Sequence, residues 1–290
     1  MLTAIVGWGF STSFIEFGLK YIEPVPYLFF RFILTTIIIS FVLLPIKYKK
    51  IVELLKLRIT WIVGVSEFSG LAFQFIAISY NISAGLAALL SLLFLIIVPF
   101  LSVVFLDETI HPIHMFAVFL AIFGVLLITT NGDFTSFSGG SILAISLLLL
   151  SAFSYGMYIV FTSKLSIIIK PDTDPLALFY VVMLIISIFS LLLSFFFGGI
   201  SGPSFDAWKW IVYISVLATI APFIGYFYAM KYYSANLASI FLLGQIFVPF
   251  YIDVFYLKVK YSFWVVGGII VLITAMVIAI LSEGGKEDGL

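Results

Sequence analysis

Ten stretches of roughly 18 to 24 residues, each nearly free of charge, follow one another along a chain of 290 residues. They lie at about 3–20, 27–46, 59–79, 83–106, 112–130, 141–163, 174–197, 209–230, 234–256 and 262–281. A helix that crosses a bilayer needs about 20 apolar residues, because the hydrocarbon core is about 30 Å thick. In that solvent each segment must satisfy its own backbone, and apolar runs of this length do so as helices. Composition agrees: 63% of residues are hydrophobic and 10% charged, against about 45–50% and 25% in soluble chains. The expectation is an all-α polytopic membrane protein of ten transmembrane helices. Its net charge of +0 points to no nucleic-acid partner. With no cysteine, disulfides and thiolate metal sites are excluded. The first stretch is apolar from Leu2 and lacks a basic leader, so it reads as a span rather than a signal peptide.

Most connections are short. The segment 47–58, KYKKIVELLKLR, predicts a separate short amphipathic helix at the interface. The segment 131–140, NGDFTSFSGG, is a turn-rich loop near the middle of the chain. Ten spans put both termini on one side. Nine cations fall there (Lys47, Lys49, Lys50, Lys56, Arg58, Lys164, Lys170, Lys231, Lys286) and five on the other (Lys20, Arg31, Lys209, Lys258, Lys260). The positive-inside bias therefore predicts cytoplasmic termini in the cell (inner) membrane.

One phrase occurs twice. Ser83-Ala84-Gly85-Leu86-Ala87-Ala88-Leu89 is answered by Ser234-Ala235-Asn236-Leu237-Ala238-Ser239-Ile240, and each leads to a proline, Pro99 or Pro249. Each phrase opens the fourth span of a five-span set. An odd number of spans per set inserts the second copy upside down, which makes an inverted repeat of the kind that builds secondary transporters. The halves are 1–130 and 141–281, with 131–140 between them and 282–290 as a cytoplasmic tail. Two such halves enclose a central cavity that opens to either side by rocking.

The chain resembles the drug/metabolite transporter superfamily, specifically its EamA-type ten-helix carriers. The resemblance rests on Trp8-Gly9, Pro26 with Arg31, the phrase from Ser83 to Leu89, Pro99, Asp107-Glu108, Gly124 and Gly267-Gly268. It implies movement of small metabolites through a cavity between the halves, with spans five and ten peripheral. The pattern departs at Lys258, where such carriers often have an acid; Glu108 keeps it in the first half.

A charge inside a bilayer costs roughly 2.5–3.5 kcal/mol on insertion scales and marks a polar cavity or a partner. Glu67 lies in span three, with Gly70 and Gln74 at i+3 and i+7 on the same face. This stripe suits a cationic or amine-bearing group, or uptake of a proton. A structural carboxyl bonded to Ser66 or Ser69 is the alternative. Glu16 has Lys20 at i+4 and reads first as a local ion pair. Arg31 either snorkels to the outer interface, pairs with Glu16, or meets a carboxylate of the solute. Gln245, Pro249 and Asp253 form a kinked polar edge of span nine, and Pro99 is the matching hinge in span four. These four, Glu16, Arg31, Asp253 and Gln245, are candidates for coupling or gating. Among the aromatics, Trp8, Phe73, Tyr226 and Tyr228 are placed to line the cavity, where ring faces near an acid can hold an organic cation.

The segment DETIHPIH, 107–114, pairs acids with two histidines, but it opens a span at Pro112 and no metal is expected. No cofactor is implied either. A membrane-embedded enzyme with an intramembrane carboxylate is the competing class. The sequence has no HExxH, GxSxG or phosphate-loop motif, so a carrier for an amino acid, amine or amphipathic compound, working by alternating access, is favoured. The partners expected are that solute, the lipid bilayer and protons; with no dimer surface visible, a monomer is the default.

Overall fold

The computed structural model describes residues 1–107, 112–130, 139–169, 174–197, 199–200, 202–230 and 242–284. Every regular element among them is helical. The second copy of the repeated phrase, most of the 131–140 loop and the end of the tail lie outside the described residues.

Helix α1 covers Leu2–Gly18. Helix α2 begins with Pro24, whose fixed φ and missing N–H suit a first helical position, and runs without a break to Leu55. The separate interfacial helix expected over 47–58 is therefore absent. Ile51 and Leu54 are buried and extend the inward stripe of α2, so the helix continues until Lys56 and Leu57. Helix α3 covers Arg58–Ser79.

Span four is broken into α4, Ala84–Ser91, and α5, Phe94–Leu106. The break at Leu92–Leu93 precedes Pro99, which sits inside α5. Proline cannot donate to the carbonyl four residues back. Upstream of it the chain tightens, with Leu93 N donating to Leu90 O at 3.2 Å and Leu95 N to Leu92 O at 3.0 Å.

Helices α6, Pro112–Thr130, α7, Gly139–Ile169, and α8, Pro175–Phe196, follow. Helix α9, Phe205–Ser215, passes through a wide π turn, Val216–Ile220, into α10, Ala221–Ala229. Span nine is irregular. A 3-10 turn at Leu243–Ile246 leads into α11, Phe247–Tyr251, then a second π turn, Ile252–Tyr256. Helix α12 covers Phe263–Gly284.

Among the described residues, six helices are long and apolar enough to cross a membrane: Pro24–Leu55, Arg58–Ser79, Ala84–Leu106, Ile142–Ile168, Pro175–Phe196 and Phe205–Ala229. In the packing, α1 is central and touches α3, α4, α9, α10 and α11. Helix α2 lies on α8, and α3 on α7. Helices α6 and α12 lie against each other, so closely that a Cβ on Gly124 would stand 2.8 Å from Leu272 Cγ.

Candidate functional site

Around α1 the structure encloses a cavity of about 80 Å3, open to the centre of a water-sized sphere. That is well above the roughly 10–15 Å3 a cavity needs to hold one water. Its walls come from α1 (Trp8, Ser11, Thr12), α2 (Arg31), α3 (Glu67, Leu71, Gln74), α4 and its break, α7 (Tyr155, Tyr158, Ile159), α10 (Phe223, Tyr226) and the start of span nine (Leu242, Gln245).

In one part of the wall every nitrogen of the Arg31 guanidinium is hydrogen-bonded. Arg31 is fully buried, and its guanidinium has three acceptors. Nε donates to Thr219 Oγ1 at 2.9 Å, Nη1 to Ser11 Oγ at 3.2 Å, and Nη2 to Ala218 O at 3.1 Å. The π turn makes this possible. Thr219 Oγ1 donates back to Ile214 O at 2.8 Å, five residues upstream, and Ala218 O is turned toward α2. The Arg31 carbonyl in turn accepts from Thr35 Oγ1 and Ser215 Oγ, both at 2.9 Å. The rings of Phe32 and Phe75 lie 4.9 and 5.8 Å from the guanidinium carbon. Arg31 thus neither snorkels nor pairs with Glu16. A buried fork of donors found a buried set of acceptors instead.

Gln74 is also paired at both amide atoms. Its Nε2 donates to Ser91 Oγ at 3.0 Å, and its Oε1 accepts from Tyr155 OH at 3.2 Å. The Tyr155 ring lies flat on α3 because residue 70 is glycine; a Cβ there would meet the ring at 2.6 Å. Ser151 Oγ closes the same contact by donating to Gly70 O at 2.7 Å.

A second part of the wall, which shares α1, α3 and α7 with the first, is not paired in this way. Among the described residues, Glu67 Oε2, Thr12 Oγ1, Tyr158 OH and Tyr226 OH are buried without a hydrogen-bond partner, and all four residues line this cavity. Ser69, a structural partner considered for Glu67, gives its hydroxyl to Val65 O at 2.9 Å. Buried polar groups are paired in the great majority of cases, and leaving one unpaired costs about 1–3 kcal/mol. Four such atoms around one space mark where a polar solute or water belongs. Aromatic faces complete this wall. Trp8 meets Phe223 edge-on at 5.0 Å and Tyr226 at 5.2 Å, and Tyr226 stacks on Tyr158 at 5.7 Å.

Of the residues singled out in the sequence, Trp8, Arg31, Glu67, Gln74, Tyr226 and Gln245 come together here. Phe73 does not line the cavity, and Tyr228 is 43% exposed on the outside of α10. Glu16 and Asp253 lie beyond one end, at the start of α4. Glu16 Oε2 accepts from Ala84 N at 3.0 Å rather than pairing with Lys20, whose Nζ sits over the Phe17 ring. Asp253 turns inward to Gly85 N at 2.8 Å, away from Lys258. Pro99 and Pro249 are buried inside helical segments. His111 lies outside the described residues. Sequence reasoning missed Tyr155 and Tyr158. Their signal was Ser151, Tyr155, Tyr158 and Thr162, spaced four, three and four apart in an otherwise apolar span.

Away from the cavity, Lys47 Nζ pairs with Asp174 Oδ2 at 2.6 Å. Burial would push the Asp174 carboxyl up. The Lys47 bond and the amides of Ala177 and Leu176 outweigh it and hold the carboxyl below its usual value. The same bond raises Lys47.

A bundle of apolar helices around a buried polar cavity defines a multi-pass helical membrane protein. The comparisons make the class specific: the sequence profile of the EamA-like transporter family matches residues 1–130 and again 142–281. The chain belongs to that family and is a transporter by membership. Two relatives from Archaeoglobus fulgidus, each described as an uncharacterized transporter, are similar to it. One is 25% identical over 284 residues, covering 93% of this chain and 92% of the relative. The other is 26% identical over 239 residues, covering 82% and 81%. A solved crystal structure, 15% identical, superposes with a TM-score of 0.67 over 97% of this chain and 94% of its own, which shows a shared fold.

Proposed function

We propose that the chain is a secondary carrier that moves a small organic solute bearing an amine across the membrane by alternating access. An amino acid, a simple amine or an amphipathic amine fits this description. The observation that carries the reading is the unpaired Glu67 carboxylate oxygen, facing a cavity with three unpaired hydroxyls and the rings of Trp8, Tyr158 and Tyr226. A carboxylate among aromatic faces is the environment that an organic ammonium prefers to water. In the proposed frame, two inverted halves of five spans, 1–130 and 141–281, rock about this cavity as a monomer. The twofold match to one family profile supports the halves. Both termini face the cytoplasm and the chain sits in the inner membrane, supported by the nine-to-five distribution of cations. Glu67 also takes up the coupling proton.

A ligand that binds the folded state raises its stability. A thermal-shift screen of amines and amino acids on purified protein is expected to yield a stabilising solute, and Glu67→Gln to lose the shift. The same solute, labelled, should then enter sealed vesicles containing the protein. Chemical turnover of the solute without net movement would overturn the carrier reading. Flux driven by a pH gradient that persists in Glu67→Gln would overturn the proton role.

A further inference from the structure

We infer that the start of α4 is a latch that seals one end of the cavity and parts to admit a solute there. The inference rests on the carrier reading. Helix α4 has only eight residues, and its first turn exposes free amides to any acceptor nearby. Three side chains answer them. Leu86 N donates to Ser83 Oγ at 3.3 Å, Ala84 N to Glu16 Oε2 at 3.0 Å, and Gly85 N to Asp253 Oδ2 at 2.8 Å. Tyr261 joins them: its hydroxyl donates to Asp253 Oδ2 at 2.5 Å and lies 2.9 Å from Ser83 Oγ.

These contacts divide by origin. Glu16, on α1, belongs to the same half as α4. Asp253 and Tyr261 belong to the other half. The Glu16 bond can therefore persist while the halves rock, whereas the Asp253 and Tyr261 bonds must break if this end opens. Gly85 permits the close approach, since a Cβ there would run into Asp253 Oδ2 and the Phe250 ring.

The latch lies directly beyond the cavity on the same elements. Glu16 is four residues past Thr12, Gly85 three before Ala88, and Asp253 eight past Gln245. At about 1.5 Å per residue these are rises of about 6, 4.5 and 12 Å. The closed latch also leaves Asp253 Oδ1 fully buried without a partner among the described residues. Parting hydrates that oxygen while it exposes the amides, so the two positions are closer in energy than a count of broken bonds implies. The second copy of the phrase has Asn236 where Gly85 stands.

The test uses the absence of cysteine in the chain. Ala88→Cys places one thiol on the cavity wall below the latch. Its reaction with a membrane-impermeant methanethiosulfonate is followed from each face of sealed vesicles. With the latch intact, labelling from the face bearing the 80–83 turn is expected to be slow. Asp253→Ala should raise that rate tenfold or more and Tyr261→Phe about threefold, with the rate from the opposite face unchanged. Equal rates with and without the latch groups, or acceleration from both faces alike, would overturn the inference. If Asp253→Ala does not fold, Tyr261→Phe, which keeps the ring, decides alone. Labelling needs no solute. A chain that moves nothing but labels as expected defeats the carrier reading and not the latch; normal flux with unchanged labelling defeats the latch alone.

Discussion

Arg31 and Glu67 stand on adjacent helices, both buried, and the protein treats them in opposite ways. Arg31 is surrounded by acceptors that belong to another part of the chain, Thr219 and Ala218. Glu67 has an oxygen with no partner among the described residues. A buried charge with a complete set of partners holds helices together, and removing it leaves those partners stranded. A buried charge with an incomplete set costs stability in the resting protein and is retained for what it binds. The cavity is therefore built from a rigid wall and a waiting wall.

The largest expected effect is at the rigid wall. Arg31→Met should lower stability by about 3–5 kcal/mol, read as the unfolding midpoint in detergent. Arg31→Lys should not restore it, because one ammonium cannot reach three acceptors arranged for a planar fork. At the waiting wall the signs reverse. Glu67→Gln should keep or raise the unfolding midpoint while weakening the stabilising solute tenfold or more, about 1.4 kcal/mol. If Glu67→Gln destabilises as Arg31→Met does, the distinction between the walls fails. Smaller still are Tyr158→Phe and Tyr226→Phe. Each deletes an unpaired hydroxyl, so stability should change by less than about 0.5 kcal/mol, with affinity falling a few-fold in an equilibrium titration.

The smallest effect lies outside the cavity, at Lys47 and Asp174. The Asp174 contribution is present above the ordinary aspartate value of 3.8 and is lost as pH falls through its lowered one. The Lys47 contribution is present below 10.5 and is lost only as pH rises through its raised value. The contribution of this pair to the unfolding midpoint should therefore be level from about pH 5 to 9 and be lost below about pH 4, so that the acid fall is smaller in Asp174→Asn. Asp174→Ala should lose about 1 kcal/mol more than Asp174→Asn, since Asp174 Oδ1 also caps α8 through Leu176 N and Ala177 N.

Much of the cavity lining was legible in the sequence because its residues violate the surrounding composition. Glu67 stands out in an apolar span, and Gln74 follows at helical spacing on the same face. Arg31 was equally conspicuous, but its partners were not. They exist only because the backbone widens at Val216–Ile220, and no residue in VLATI announces a π turn. Glu16 and Lys20 matched a local pairing rule, yet α4 brought a backbone donor, Ala84 N, to the carboxylate from far along the chain. Tyr155 and Tyr158 were hidden among other aromatics, although the serine and threonine on their stripe set them apart. The long α2 was misread at 47–58 because its charges suggested an interface, while Ile51 and Leu54 were continuing the inward face.

The π turn in span eight also sets a reading frame. Successive residues of a regular helix point about 100° apart, and a π turn holds one residue more than an α turn would. Were the same residues wound as a regular helix, everything after Ile220 would swing by about that angle. Phe223 and Tyr226 would leave the cavity wall and face elsewhere, with composition, hydropathy and length unchanged. The aromatic half of the site is thus held in phase by one surplus residue.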